Sequence, residues 1–433
     1  MSARVAVVGW GAAGLAAARA ASSRGARVTL IASGAGATSF YTGAVDDVDW
    51  SEREAAQALL GQRLLAGALD EEVAAYASAL TEWILPPAGD PLPRLATVNG
   101  VVRSARGRDR TLLDLASLAG RRVLAPRVPR AGWDADALVS SLRDEAELGV
   151  TYEAIDAVVL RFADESRIAD ADLASRYDED TRLDWLAARL APFVEATGRA
   201  KAAVLLGPWL GASASRAARL EARLGCPVGE ALSTTSLVPG LRLEAARDAW
   251  LQRSGLAVTK GRATRIDASS DGGTSRSGSS PGALTITVHG AEPVVADAVV
   301  LAAGGLLGGG LVYDPPEHGS APEGPERTRA PFRLSIEAPG ARVATGAAFG
   351  VASSVFGPVL DAAWPAPGAP GILERVGVVT DEHGACASRL FAAGDLVAGA
   401  RRTILQAVLS GARAGIRAAT VLDQPVPRTV LSA

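Results

Sequence analysis

The feature that most constrains this chain is a glycine triplet near its start. In VAVVGWGAAGLAAARAASSRGARVTLIAS, an apolar run at Val5–Gly9 meets Gly9, Gly11 and Gly14, and a second apolar run closes on Ala32 and Ser33. The first glycine permits a tight strand-to-helix turn, the second lets a pyrophosphate approach the backbone, and the third lets helix pack on strand. The spacing predicts a strand at Val5–Gly9, a helix at Ala12–Arg24 stopped by Gly25, and a parallel strand at Val28–Ala32. That βαβ unit fits a two-nucleotide cofactor with its phosphates at the helix N-terminus. Such units usually end the second strand on Glu or Asp. Here Ala32 stands there, so Ser33 or backbone amides must receive the ribose. The segment Ala32-Ser33-Gly34-Ala35-Gly36 carries no positive charge, which argues against a 2′-phosphorylated cofactor. A decayed site is the other alternative.

The rest of the chain is organised around this start. A helical pattern at Glu52–Leu85 stops at Pro86-Pro87, and an alanine- and arginine-rich stretch from Asp134 to Leu224 is broken only by GPWLGAS at Gly207–Ser213. A helical cap lobe is expected there. A helix at Leu241–Arg253 and strands at Leu256–Lys260, Leu284–His289 and Ala298–Ala303 follow. The polar tract Ser269–Gly282 reads as a flexible hairpin tip, and Tyr313–Pro331 as an irregular proline-rich insertion that leaves His318 outside any ordered site. The expected class is α/β, with a discontinuous Rossmann-like cofactor-binding domain and a mid-chain cap or substrate lobe. Its expected parts are 1–50, 241–305 and 373–433 for the cofactor, 51–240 for a mostly helical connection and cap, and 306–372 for a second cap portion.

Composition excludes several functions. Lys+Arg 44 nearly balance Asp+Glu 47, with no basic stripe, so nucleic acid is not an expected partner. The glycines interrupt the one N-terminal apolar stretch, so no export signal is expected, and no run is long and apolar enough for a membrane span. Two cysteines, Cys226 and Cys386, and isolated His289, His318 and His383 make neither an iron–sulfur nor a metal pattern. Redox chemistry would therefore use an organic cofactor. The expected compartment is the cytoplasm, with attachment to a membrane through a partner left open.

Two further segments point to such a cofactor. ADAVVLAAGG at Ala296–Gly305 is a buried strand running into small residues suited to close contact with adenine or pyrophosphate. RLFAAGDLVAGARRTILQAVLSGARAG at Arg389–Gly415 delivers Gly394-Asp395 and then a helix carrying small residues. An aspartate there can accept hydrogen bonds from a ribityl chain, and the helix N-terminus can stabilise negative charge on a reduced flavin. In this order the three pieces resemble the two-dinucleotide-binding-domain flavoproteins. GATSFYTGAVDDVDW (Gly36–Trp50), GPWLGA (Gly207–Ala212) and GCPVGEALSTTSLVPGLRLEAARDAWLQRSG (Gly225–Gly255), with Glu230, Pro239, Gly240, Arg242 and Leu243, are similar to the B subunit of anaerobic glycerol-3-phosphate dehydrogenase. The family's glycine-rich ending with Asp-Pro and Glu-Gly-Cys-Gly is replaced here by GARRTILQAVLSGARAG.

The resemblance implies FAD, a catalytic flavoprotein partner, an iron–sulfur partner subunit and oxidation of sn-glycerol 3-phosphate or a related small anionic alcohol. FMN stays open as the cofactor. Residues expected to touch the cofactor are Gly9, Gly11, Ala12, Ala13, Gly14, Ala32, Ser33, Ser39, Thr42, Gly43, Ala303, Gly304, Gly394, Asp395 and Thr403. Arg401 and Arg402, and after them Arg242, are the expected groups for a substrate anion or for polarising the flavin, because a guanidinium offers a fixed fork. For Arg401 and Arg402 the bland alternative is a surface pair, and for Arg242 a brace. A self-sufficient dehydrogenase or reductase acting on another small anionic substrate is a second reading, and the absence of a convincing general base supports a third, a non-catalytic flavin-binding scaffold.

Overall fold

The computed structural model describes residues 2–49, 71–87, 89–144, 148–233, 237–268, 282–313, 332–344, 375–400 and 402–422. The chain forms two compact units, one from Met1–Thr38 with Ser254–Ala433 and the other from Ser39–Arg253.

The chain opens with β1 (Arg4–Val8), α1 (Ala12–Ser23) and β2 (Arg27–Ala32). The middle carries β3 (Ala44–Asp49), α2 (Glu71–Leu80), β4 (Trp83–Ile84), β5 (Arg94–Ala96), β6 (Val102–Asp109), β7 (Arg122–Pro126), α3 (Ala135–Arg143), β8 (Thr151–Ile155), α4 (Asp170–Arg176), α5 (Asp180–Thr197), β9 (Ala202–Leu206), α6 (Ala217–Leu224), β10 (Val228–Glu230) and α7 (Val238–Ser254). The return adds β11 (Ala257–Lys260), β12 (Arg262–Ala268), β13 (Leu284–His289), β14 (Val294–Ala296), β15 (Ala298–Leu301), β16 (Leu311–Tyr313), β17 (Phe332–Leu334), β18 (Val343–Ala344), β19 (Gly377–Val378), β20 (Ala385–Ala387), β21 (Leu390–Ala392) and α8 (Ile404–Ala419).

In the first unit these strands make a six-stranded sheet of order β11-β2-β1-β15-β21-β20. All neighbours run parallel except β20 and β21. The central strands read as unbroken apolar runs because both faces are covered. On one face α1 packs against α8 through small residues: a Cβ on Gly411 or Gly415 would collide with the carbonyls of Ala13 or Ala17. On the other, Ile266, Ile286 and Val288 of the antiparallel β12-β13-β14 sheet share a core with Ala6, Val299 and Leu301. This is the expected discontinuous Rossmann-like α/β architecture.

A part-buried ion pair fastens β15 beside β1. Asp297 is 2% exposed, accepts from the Arg4 amide at 2.9 Å and from Arg4 Nη2 at 2.7 Å, and returns its own amide to the Arg4 carbonyl. Burial pushes the Asp297 carboxyl up, but the Arg4 hydrogen bonds outweigh it and hold the group below the usual carboxylate range. Its stabilisation is therefore complete above the unfolded-state value near pH 4 and is lost as pH falls through the depressed native value. On acidification through the acid range below pH 5, wild type should lose stability that Asp297→Asn does not lose, read from denaturant midpoints.

The second unit corrects the expected helical cap. It holds a four-stranded parallel sheet of order β10-β9-β7-β8 and an antiparallel sheet in which β6 pairs with β3, β4 and β5. Strands β8 and β9, inside the stretch expected to be helical, contain Ala154, Ala202 and Ala203, so composition alone gave them a helical look. Pairing with β7 on either side settles them as strands, a case of tertiary structure overriding local propensity. Segment boundaries shift too. Helix α7, expected within the cofactor-binding return, belongs to this unit, whereas the described parts of 306–344 belong to the first. The helical pattern at Glu52–Leu85 is described only from Glu71, and the tracts Ser269–Gly282 and Tyr313–Pro331 lie outside the described residues except for Gly282 and Tyr313.

Candidate dinucleotide site

The opening turn is built by contacts that only glycine permits. Gly9 has φ 107°, and a Cβ there would collide with the Ala302 carbonyl oxygen. A Cβ on Gly14 would collide with the Gly9 carbonyl oxygen. These absences let β1, α1 and the end of β15 close on one another. Gly11 caps α1 without a side-chain hydrogen bond, and the first helical turn carries no acidic residue. The positive helix end is thus left without a protein carboxylate, which suits a phosphate. The Thr38 hydroxyl accepts from the Ala12 amide at 3.2 Å and sits 2.9 Å from where a Gly11 Cβ would be. Thr38 is a site residue that sequence reasoning passed over, although it lies within the quoted Gly36–Trp50 motif.

The ends of β15 and β21 arrive at the same sheet edge. Ala302 donates to Val8, and Ala393 donates to Leu301, so the loops after β1, β15 and β21 leave side by side. Past β15, Gly304 has φ 79°, and a Cβ on Gly305 would stand 2.7 Å from the Asp395 carbonyl oxygen and 2.9 Å from Arg402 Nη1. Burial pushes the Asp395 carboxyl above its ordinary range, and the Arg402 charge opposes this. Gly394 donates to Ser410 Oγ at 3.0 Å, and Thr403 caps α8 by accepting from the Gln406 amide at 3.3 Å. Arg402 also donates to the Val376 carbonyl at 3.2 Å.

The ends of parallel strands, where the strand order changes direction about β1 and β15, are where open α/β sheets bind ligands. The structure brings Gly9, Gly11, Ala12, Ala13, Gly14, Ala32, Ser33, Ala303, Gly304, Gly394, Asp395 and Thr403 to that edge of the first unit. Ser39, Thr42 and Gly43 belong to the second unit instead. There a Cβ on Gly240 would collide with the Ser39 carbonyl, and Gly43 faces Leu112. Arg401 lies outside the described residues.

The position of the missing carboxylate has a cationic neighbour. Parallel pairing of β11 with β2 sets Lys260 opposite Ala32, and Gly261 donates to the Ala32 carbonyl. Trp10, inside the glycine motif, donates its indole N–H to the Gly34 carbonyl just beyond β2. Neither was visible from the local sequence, because only sheet pairing and the turn bring these residues to the end of β2.

Arg242 lies in the second unit and is a brace. It is 5% exposed, donates to Glu230 Oε2 at 2.7 Å and Oε1 at 3.3 Å, and donates to the Gly211 carbonyl at 2.9 Å. Glu230 also accepts from the Leu210 amide. Burial pushes the Glu230 carboxyl up, while these donors, which a carboxylate accepts together, oppose it. The pair thereby ties α7 to β10 and to the GPWLGA loop, and its charge is neutralised within the protein.

Other sequence candidates are bland. His383 contacts Arg417 and Glu382 at the surface. Burial pushes the Cys226 and Cys386 thiols up to about 11, so neither is a thiolate at neutral pH. No cluster of metal-ligating residues occurs among the described residues, and none of their helices is long and apolar enough to cross a membrane.

No protein-family model matches the chain, and no curated protein matches it. Among solved structures, FqzB is similar at 11% identity and TM-score 0.22, over 70% of this chain and 36% of that one. The 3-ketosteroid Δ1-dehydrogenase of Sterolibacterium denitrificans is similar at 15% identity and TM-score 0.27, over 70% of this chain and 47% of that one. The thioredoxin reductase of T. acidophilum is similar at 11% identity and TM-score 0.23, over 97% and 98%. The chain spans less than half the length of the first two. At TM-scores this low the likenesses do not bear on activity, and the fold rests on the sheet topology itself.

Proposed function

We propose that this chain is a flavin-dependent oxidoreductase, with FAD lying along the C-terminal edge of the first unit's parallel sheet. One observation carries the reading: three segments far apart in sequence, Gly9–Gly14, Ala303–Gly305 and Gly394–Asp395, end side by side at that edge. The uncapped start of α1 suits a pyrophosphate, with Thr38 beside it. Asp395 would accept from ribityl hydroxyls, Arg402 would hold that carboxylate, and the N-terminus of α8 would stabilise negative charge at the pyrimidine end. Bound FAD would supply the hydride and electron chemistry. The chain's part is then to bind, orient and exclude water.

The substrate we propose is a small anionic alcohol such as sn-glycerol 3-phosphate, with electrons passed to a catalytic flavoprotein subunit and an iron–sulfur subunit. The motif around Glu230–Leu243 supports this, through the resemblance it carries. A self-sufficient enzyme and a non-catalytic flavin scaffold are the competing roles. Lys260 beside Ala32 is the observation behind a second ligand reading, a 2′-phosphorylated dinucleotide.

The test is to purify the chain alone, record its visible spectrum, identify the released cofactor by mass, and add glycerol 3-phosphate anaerobically. FAD is the expected mass. Asp395→Leu should retain it at least about tenfold more weakly, the equivalent of one lost charge-assisted hydrogen bond. Bleaching without partners would indicate a self-sufficient enzyme, and bleaching only with partners a subunit. A mass bearing a 2′-phosphate would select the second reading, and a colourless chain that takes up neither FAD nor FMN would sink the flavin.

A further inference from the structure

The end of β2 is where an opening unit of this kind holds the adenosine of a dinucleotide, and its usual acceptor is gone. Ala32 stands at that position and is 4% exposed. The chain beyond it lies open. Ser33, Gly34, Ala35 and Gly36 are exposed, and a Cβ on Gly34 or Gly36 would meet nothing within 4 Å. Trp10 borders this opening, because its half-buried indole reaches from the turn after β1 to the Gly34 carbonyl and ties the two turns together.

The sheet delivers one charged side chain to the same place. Register partners on adjacent strands project to the same face, so Lys260 of β11 stands beside Ala32 on the face that Ala32 occupies. Gly261 fixes it there. The Gly261 amide donates to the Ala32 carbonyl, and a Cβ on Gly261 would stand 2.6 Å from the His289 carbonyl oxygen, so β11 ends at this level and the chain passes directly into β12. The Lys260 ammonium is exposed and has no hydrogen bond or ion pair among the described residues. Adjacent strands lie about 4.8 Å apart, which sets β11 about 10 Å from β1 with β2 between them. Lys260 is thereby displaced from the phosphate position at the start of α1, toward the nucleoside.

We infer that Lys260 is the residue that receives the adenosine ribose, donating from Nζ to the oxygen on its 2′ carbon. A carboxylate at position 32 would accept from a 2′-hydroxyl and repel a 2′-phosphate. An ammonium donates to either, since both offer lone pairs. The hydrogen bond at this subsite is reversed in direction rather than lost. Lys260 replaces Ser33 and the backbone amides as the expected ribose contact. The inference rests on the dinucleotide reading of the opening unit, and the experiment separates the hydroxyl of FAD from the phosphate of a 2′-phosphorylated dinucleotide.

Lys201 and Lys260 are the chain's two lysines, and Lys201 is exposed in the second unit. Acylation of the full chain with an amine reagent, read by peptide mass, therefore follows Lys260 against an internal reference. The chain is labelled alone and with FAD, FMN or NADP in excess. FAD is expected to slow acylation of Lys260 at least fivefold and leave Lys201 unchanged, and FMN, which lacks the adenosine, should protect neither. Lys260→Met should bind FAD about tenfold more weakly, and Lys260→Arg, still a donor, should bind it within about threefold of wild type. Protection by NADP rather than FAD would assign the subsite to a 2′-phosphate. FAD uptake with Lys260 reacting at its full rate, or with unchanged affinity in Lys260→Met, sinks this inference alone. A chain that takes up no flavin while NADP protects Lys260 sinks the flavin alone, and protection by neither dinucleotide overturns the role of Lys260.

Discussion

Gly9→Val is expected to destabilise the first unit by about 4 kcal/mol, enough to unfold many domains of ordinary stability. Two costs combine. At φ 107° a β-branched residue is held in backbone conformation it strongly disfavours, and its Cβ would overlap the Ala302 carbonyl oxygen. Strain of this kind costs about 1 to 3 kcal/mol, and overpacking against a backbone atom about as much again. Relaxation cannot relieve the clash cheaply, because Ala302 is held by its hydrogen bond to Val8. The control is Gly25→Ala, where φ is 80° but nothing lies within 4 Å of the new Cβ. It should cost only about 1 kcal/mol, from the backbone alone. Urea midpoints followed by circular dichroism compare the two, and equal midpoints would mean that the turn after β1 is not packed as described.

Breaking the pair between Arg242 and Glu230 should cost nearly as much in the second unit. Glu230→Leu leaves a buried guanidinium without its counter-charge, and Arg242→Met leaves a buried carboxylate; each is expected to lose about 3 to 5 kcal/mol. The double variant should recover most of that loss, because two apolar side chains of similar volume need no partner. Arg219 and Asp180 provide the comparison, since both are more than half exposed; Arg219→Ala should move stability by less than about 1 kcal/mol. A double-mutant cycle by chemical denaturation separates the outcomes. If Arg242→Met kept full stability and lost only activity, the bracing role would be wrong and a direct role on substrate would return.

Much of the first unit was legible in the chain because its signals are local. Val5–Gly9, Gly25 and Val28–Ala32 announce a βαβ unit, and the observed β1, α1 and β2 follow them within a residue or two. The glycines were legible because of the turn and the helix–strand packing their spacing encodes: Gly9 and Gly14 are required by packing of backbone on backbone. The second unit was much less legible. Alanine-rich strands such as β9 carry no period that separates them from helix, and their identity depends on what covers them.

Chain order and residue type were enough to determine the class of the fold, its discontinuity, and the meeting of Gly9–Gly14 with Gly394–Asp395. Those properties follow from turn sterics and from strands too apolar to face water on either side. Only the tertiary structure decided which charges are answered. Arg242 finds Glu230, Arg4 finds Asp297, and Lys260 comes beside Ala32, each across a distance that sequence spacing does not encode. The same holds for Arg106, whose Nε and Nη2 stay unanswered inside the second unit. An arginine looks alike in sequence whether solvated, paired or buried without a full set of acceptors, because the difference lies in the dielectric and in the acceptors that folding brings to it.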